Sequence, residues 1–330
     1  MLSCKKRLTN KRSENNLSEM ENIKSAIVFP GKITKFNGLG KLFFKSYPEA
    51  EKIFTDLNIS FGNELIHSCI EGFDYTNDSE TKKILASHIL SSLFANILRN
   101  NNIVSHSFLG SSLGIYTALF AARSISFDES NYLIKSLIDS ISQNSDYPNP
   151  AYADILGLDE KTIGSLIKNS KSENSLTISH FNTQNHFTVS GDEEKLFKLI
   201  ELSKNVDGLC QLFSKADYLI HTNFLKLSSF WYEALNNINF ANPDIPVFCD
   251  TEIKPFNSGQ EIKTILREHI GKPVFFERSI STLISDGINA FFEVGGEGVL
   301  SKQIRWIDRK IRIHCIENKD SFEKAIKLLK

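Results

Sequence analysis

Apolar positions along the first 150 residues follow two alternating spacings. A short β-branched and aromatic run, Ser25-Ala26-Ile27-Val28-Phe29, stops at Pro30-Gly31 and predicts a buried strand ending in a turn. Helical spacing follows over 46–58 and again over 79–99, where Ile84, Leu85, His88, Ile89, Leu93 and Ile97 share one face. An apolar run at 103–109 predicts a second strand, then a glycine-flanked turn, then a helix through Tyr116 and Arg123. Strand, tight turn and helix in that order predict an α/β layered unit with a parallel sheet.

The rhythm changes over 150–220. Strands are expected at 151–156, 175–181, 186–190 and 209–216, with helices at 158–168 and 192–204. Strand–helix–strand twice over is the ferredoxin-like split βαβ pattern, compact enough to be a small inserted domain. The larger pattern then resumes: helix 222–236, strand 246–249, helices 259–269 and 274–286, and strand 290–294. The expected organisation is therefore a large α/β domain over 24–149 and 222–330, with a small domain over 150–221. Residues 1–23, rich in Lys, Arg, Asn and Ser, read as a disordered basic tail. An organellar targeting segment is the alternative for that stretch.

Composition narrows the function. In 330 residues, 38 Lys+Arg against 39 Asp+Glu leave a formal charge of −1, which gives no general attraction for phosphate backbones. Nucleic acid is not an expected partner. No apolar run approaches the roughly 20 residues of a membrane span, so no membrane association is expected either. The cysteines (Cys4, Cys69, Cys210, Cys249, Cys315) are odd in number and scattered, without a CxxC pair. That argues against a disulfide framework and a common zinc site, and it suits a reducing, cytoplasmic compartment with no bound metal.

Candidate chemistry sits in the turn after the second strand. Gly110-Ser111-Ser112-Leu113-Gly114 matches G-x-S-x-G between an apolar strand and a helix. A nucleophilic serine needs a sharp turn that lifts its hydroxyl above the sheet, and the helix N-terminus beyond it favours developing negative charge. Ser112 is the expected nucleophile, and Ser111 sits on the shoulder of the turn. Among the eight histidines, His88 lies on an apolar helical face and reads as a core residue, and His106 is expected to point into the core or a layer interface. His221 falls at a strand-to-helix junction, where interdomain clefts form.

Several segments together resemble the malonyl-CoA:acyl carrier protein transacylase family, which includes acyltransferases of fatty-acid and polyketide synthases. Val28-Phe29-Pro30-Gly31 resembles the family's VFPGQGSQ, Gly38-Leu39-Gly40-Lys41 its GMGK, and 110–119 (GSSLGIYTAL) its GHSLGEYTAL. Ala153-Asp154-Ile155-Leu156-Gly157-Leu158-Asp159 resembles AAILGLD, and 182–191 (NTQNHFTVSG) resembles NSPxQVVISG. His221-Thr222 resembles the FHS motif, and 292–300 (FEVGGEGVL) resembles YEVGPGKVL. The resemblance spans roughly residues 25–310. It implies an α/β-hydrolase-like domain carrying an inserted ferredoxin-like domain. It implies a monomeric, cofactor-free acyltransferase working on acyl-CoA and phosphopantetheinyl acyl carrier protein. In that scheme Ser112 is the nucleophile and His221 the base, with a carbonyl near the 268–273 loop orienting the histidine. The backbone N–H groups of Lys32 and Leu113 form the oxyanion hole, and Asn182 lines the site.

The departures from the family cluster around the pocket. Lys32 replaces a glutamine, Ser111 a histidine, Ile115 a glutamate, and Lys82 a glutamine. The arginine that holds the malonyl carboxylate in the family aligns with Leu137, which cannot offer a planar two-donor cation. A neutral acyl group is the first expectation. The family's proofreading hydrolases, which clear stalled acyl groups from carrier proteins, also lack that arginine and form the second. A non-catalytic carrier-protein binder is the third. Relocation of Lys32 or Lys82 into the pocket is the route by which a carboxylated substrate is retained.

Overall fold

The computed structural model describes residues 23–33, 39–47, 50–51, 63–72, 79–103, 105–143, 147–295 and 298–330. The expected tail, apart from residue 23, and most of the expected 46–58 helix lie outside the described residues.

Two sheets organise the chain. Its strands are β1 (Ser25–Phe29), β2 (Ser107–Gly110), β3 (Pro150–Leu156), β4 (Leu176–Thr183), β5 (His186–Asp192), β6 (Leu209–Lys215), β7 (Val247–Cys249), β8 (Lys254–Pro255), β9 (Ala290–Val294) and β10 (Arg312–Ile316). The described helices are α1 (Leu39–Ser46), α2 (Asn63–Glu71), α3 (Glu80–Asn100), α4 (Gly114–Ala121), α5 (Phe127–Gln143), α6 (Glu160–Asn169), α7 (Glu193–Lys204), α8 (Ser229–Asn236), α9 (Gly259–Leu266), α10 (Phe276–Ser285), α11 (Val299–Ile307) and α12 (Lys319–Leu329).

The first sheet has the order β10-β9-β1-β2-β7-β8, parallel except for the short β8. Its central strand β1 is buried along its whole length. Ile27 and Phe29 face one apolar cluster with α3, α4 and α5, while Ala26 and Val28 face another with α10 and α11. A parallel sheet covered on both faces needs such unbroken apolar strands, which explains the run at 25–29. The second sheet, β4-β5-β3-β6, is antiparallel throughout. Along β3 burial alternates, and Ala151, Ala153 and Ile155 pack on α6 and α7.

The sheets are spliced at one point. Phe181 N–H donates to the Val274 carbonyl at 2.8 Å, and Val274 N–H donates to the Ser179 carbonyl at 2.9 Å. This places β4 against the segment leading into α10.

The structure corrects three expectations. The helix expected from 222 begins only at Ser229, and residues 221–228 form bends and irregular chain instead. The strand expected from 103 begins at Ser107. His106 therefore lies before the strand and is exposed, with Nδ1 accepting the Ser25 N–H at 3.2 Å. His88 is a core residue, bonded to Thr117 Oγ1 and Ser130 Oγ at 2.8 Å each. No described helix is long and apolar enough to cross a membrane.

Candidate active site

The turn between β2 and α4 is as tight as its glycines allow. A Cβ on Gly110 would strike the backbone of Ile115, and one on Gly114 would strike the Phe29 carbonyl at the end of β1. Ser111 N–H donates to that same carbonyl at 2.9 Å, which ties the turn to the neighbouring strand. Ser112 is held at φ 55°, a conformation that non-glycine residues adopt rarely and mainly at functional sites.

Ser112 Oγ lies 2.7 Å from His221 Nε2. His221 also has a left-handed backbone, its N–H donates to the Ile270 carbonyl at 2.6 Å, and its Nδ1 lies 2.8 Å from the Lys272 carbonyl. A carbonyl only accepts, so Nδ1 carries the hydrogen and Nε2 is free to take the serine proton. The ring is fully buried. Burial, with His180 and His269 nearby, holds its pKa well below the ordinary histidine value, against the opposing pull of the Lys272 carbonyl. His221 is thus neutral at ordinary pH, the form a base needs.

Ser112 opens onto a cavity of about 850 Å³ whose walls come from both sheets. Lys32, Ser111, Leu113 and Asn182 line it. The N–H groups of Lys32 and Leu113 have no acceptor among the described residues, and Gly31 brings the two loops together: a Cβ there would lie 3.0 Å from Leu113 N. Asn182 Nδ2 donates to Thr188 Oγ1 at 3.0 Å, and that hydroxyl donates to Asp154 Oδ1 at 2.6 Å. Asn182 is therefore fixed from inside the antiparallel sheet.

Two expected pocket residues do not reach the cavity. Leu137 is fully buried in the apolar cluster behind α5, together with Leu133, Ile134, Ile138 and Ile141. A leucine side chain has no polar head to carry outward, so it packs where its helix face points. Lys82 lies one helical step away from the cavity wall, near Cys69, whose buried thiol feels its charge. The next residue, Lys83, lines the cavity instead, and its Nζ lies 3.1 Å from Glu80 Oε1. Glu80 Oε2 also accepts from Lys32 Nζ at 2.9 Å.

Sequence reasoning also missed His180, whose ring lies 5.1 Å from that of His221 and which burial pushes down to about 4. Asp250 and His269 escaped it as well. Asp250 Oδ2 accepts the Ser112 N–H at 3.0 Å, and His269 Nε2 lies 3.5 Å from Asp250 Oδ1. Among the described residues, Cys249, Asp250 and His269 are the buried group whose ligand atoms lie close enough, within 4.8 Å, to hold a metal ion. The adjacent Cys249 and Asp250 at the end of β7 and His269 in a 3₁₀ turn leave no ligand-spacing pattern to read.

No protein-family model matches the chain. A malonyl CoA-acyl carrier protein transacylase of Bacillus subtilis (strain 168) is 25% identical over 313 residues, covering 93% of this chain and 98% of that protein. Over nearly its whole length the chain is similar to malonyl-CoA:acyl carrier protein transacylases. Solved structures of the same description share its mixed α/β fold of one parallel and one antiparallel sheet. The transacylase from Coxiella burnetii superposes with a TM-score of 0.84 at 20% identity, over 93% of this chain and 98% of that one. A type II polyketide synthase malonyl-transacylase, solved in complex with its acyl-carrier protein, gives 0.82 at 19% identity over 92% and 99%. A Lys–Glu–Lys cluster, Lys32, Glu80 and Lys83, forms part of the cavity wall, whereas Leu137 is packed in the apolar core away from it.

Proposed function

We propose that this protein moves acyl groups between thioesters of coenzyme A and acyl carrier protein through an acyl-Ser112 intermediate, in fatty-acid or polyketide assembly in the cytoplasm. The carrying observation is the 2.7 Å contact between Ser112 Oγ and His221 Nε2 on the wall of a large cavity. Ser112 Oγ attacks the thioester carbonyl carbon as its proton passes to His221 Nε2. The tetrahedral oxyanion is met by the N–H groups of Lys32 and Leu113. The C–S bond then breaks and the departing thiolate takes the proton back from His221. Attack by a carrier thiol on the acyl-serine runs the same steps in reverse. Every group used belongs to the chain or to the substrates, so the reaction draws on no resident cofactor.

The acyl group in this reading is neutral. Leu137 offers a carboxylate nothing, Lys32 and Lys83 at the cavity wall already share Glu80, and Lys215 there pairs with Glu193. The same apolar substitution supports a second reading, in which water rather than a carrier thiol takes the acyl group and the protein clears acyl carrier proteins. The sheet order β4-β5-β3-β6, with a helix in each crossover, supports a small ferredoxin-like domain over 150–221 set into a hydrolase-like domain over 24–149 and 222–330. The protein is taken to act as a monomer.

Intact-mass measurement after exposure to malonyl-CoA, acetyl-CoA and acyl-loaded carrier protein tests the reading. A single acyl adduct is expected on the wild type and none on Ser112→Ala. An adduct on the alanine variant, or none on the wild type with any thioester, overturns it. The fate of the adduct on adding carrier protein or buffer alone separates transfer from hydrolysis.

A further inference from the structure

Asp250 has no exposed surface and His269 is 1% exposed. A carboxylate so buried is unfavourable unless donors satisfy both oxygens. One donor is in place: Ser112 N–H reaches Oδ2 at 3.0 Å. The other oxygen, Oδ1, has no hydrogen-bond partner among the described residues, and neither do the two ring nitrogens of His269. Oδ1 and His269 Nε2 face each other at 3.5 Å, just beyond hydrogen-bond length. Asp250 follows β7 directly, and β7 pairs with β2, so its side chain comes up beneath the turn that β2 feeds. His269 comes from the short 3₁₀ turn His269–Gly271, which also presents the Ile270 carbonyl to His221. The other titratable groups around the pair are Cys249, His180 and His221.

We propose that Asp250, backed by His269, is the positioning residue that holds Ser112 in its reactive conformation. The φ of 55° at Ser112 is costly for a serine and needs a neighbour to enforce it. The Asp250 carboxylate does so by accepting the serine's own N–H. His269 Nε2, packed 3.5 Å from the second oxygen, limits how the carboxylate can turn. Neither residue touches the substrate. The inference rests on Ser112 being the nucleophile.

The rate at which a fluorophosphonate probe labels Ser112 tests it, since labelling requires neither carrier protein nor thioester. Asp250→Leu, similar in volume and without an acceptor, is expected to slow labelling by about 100-fold, the loss typical of a misplaced reacting group. Asp250→Asn keeps an amide oxygen for the Ser112 N–H and is expected to regain at least about tenfold of that loss. In turnover with an acyl thioester the leucine variant lowers kcat and leaves KM within about threefold, and the asparagine variant, which keeps an acceptor for the Ser112 N–H, recovers kcat. His269→Leu, which retains the Ser112 contact, is expected to slow labelling about tenfold and stands in if Asp250→Leu does not fold. Wild-type labelling rates in Asp250→Leu or His269→Leu overturn the proposal. So does an asparagine variant as slow as the leucine one. One equivalent of metal in the wild type that Asp250→Leu loses also overturns it, because the trio is then a metal site. A wild type that the probe does not label removes the Ser112 assignment itself, and this inference with it.

Discussion

Glu80 accepts from two lysines at once, Lys32 Nζ at 2.9 Å and Lys83 Nζ at 3.1 Å. Burial works against its charge, but the two lysines hold its carboxyl below the usual glutamate range, so it stays ionised. The cluster therefore carries one net positive charge, and an incoming carboxylate has to compete with Glu80 for it. Removing that competitor is the direct way to ask whether the lysines can read substrate charge. Glu80→Gln is expected to raise the ratio of kcat/KM for malonyl over acetyl thioesters by about two- to fivefold. The gain is modest because exposed ion pairs contribute only about 0–1 kcal/mol. An unchanged ratio means the cluster does not face the acyl group. Leu137 makes the complementary point. Its alignment with the family arginine is visible in the sequence, whereas its complete burial is not, since burial depends on how α5 rotates against α3 and α4.

At the scale of elements, the turn between β2 and α4 was the most legible part of the chain. Gly110 and Gly114 can be placed from sequence because only a missing Cβ lets a strand and a helix meet at that angle. The structure supplies what each would strike, and Gly114 is the harsher case, since the obstacle is the Phe29 carbonyl of β1. Gly114→Ala is expected to cost about 3 kcal/mol, the upper end for overpacking, because backbone on both sides cannot yield. A chemical-denaturation midpoint equal to that of the wild type would contradict this. Continuous apolar runs such as 25–29 and alternating ones such as 150–156 were legible for the same local reason: each period reports its own burial. The start of α8 was not, because the apolar residues of the irregular stretch 221–228 mimic helical spacing. Likewise the Asp250–His269 contact joins the end of β7 to a 3₁₀ turn, and only packing brings them together.

For the whole molecule, buried histidines set the response to acid. Burial pushes His88 down to about 3 and His180 down to about 4, and it holds His221 well below the ordinary value. These groups are neutral when folded and take up protons when unfolded below pH 6.5, so stability falls as pH drops from about 6.5 toward 4. Each suppressed histidine contributes up to about 1.4 kcal/mol per pH unit across that window. Glu293, raised by burial, opposes the trend with a single group. Urea midpoints are therefore expected to fall steadily between pH 7 and pH 5, and His88→Gln is expected to flatten the slope by about one proton. A midpoint that is flat over this range would contradict the burial of all three.

The splice between β4 and the segment before α10 has a further consequence. Ser112 and His221 lie 109 positions apart, and the carbonyls that aim the histidine, at 270 and 272, precede the residue, Val274, that joins the two sheets. Neither sheet alone can assemble the pair. Reactivity is thus a certificate of completed assembly: a nascent, nicked or half-folded chain carries a chemically silent serine.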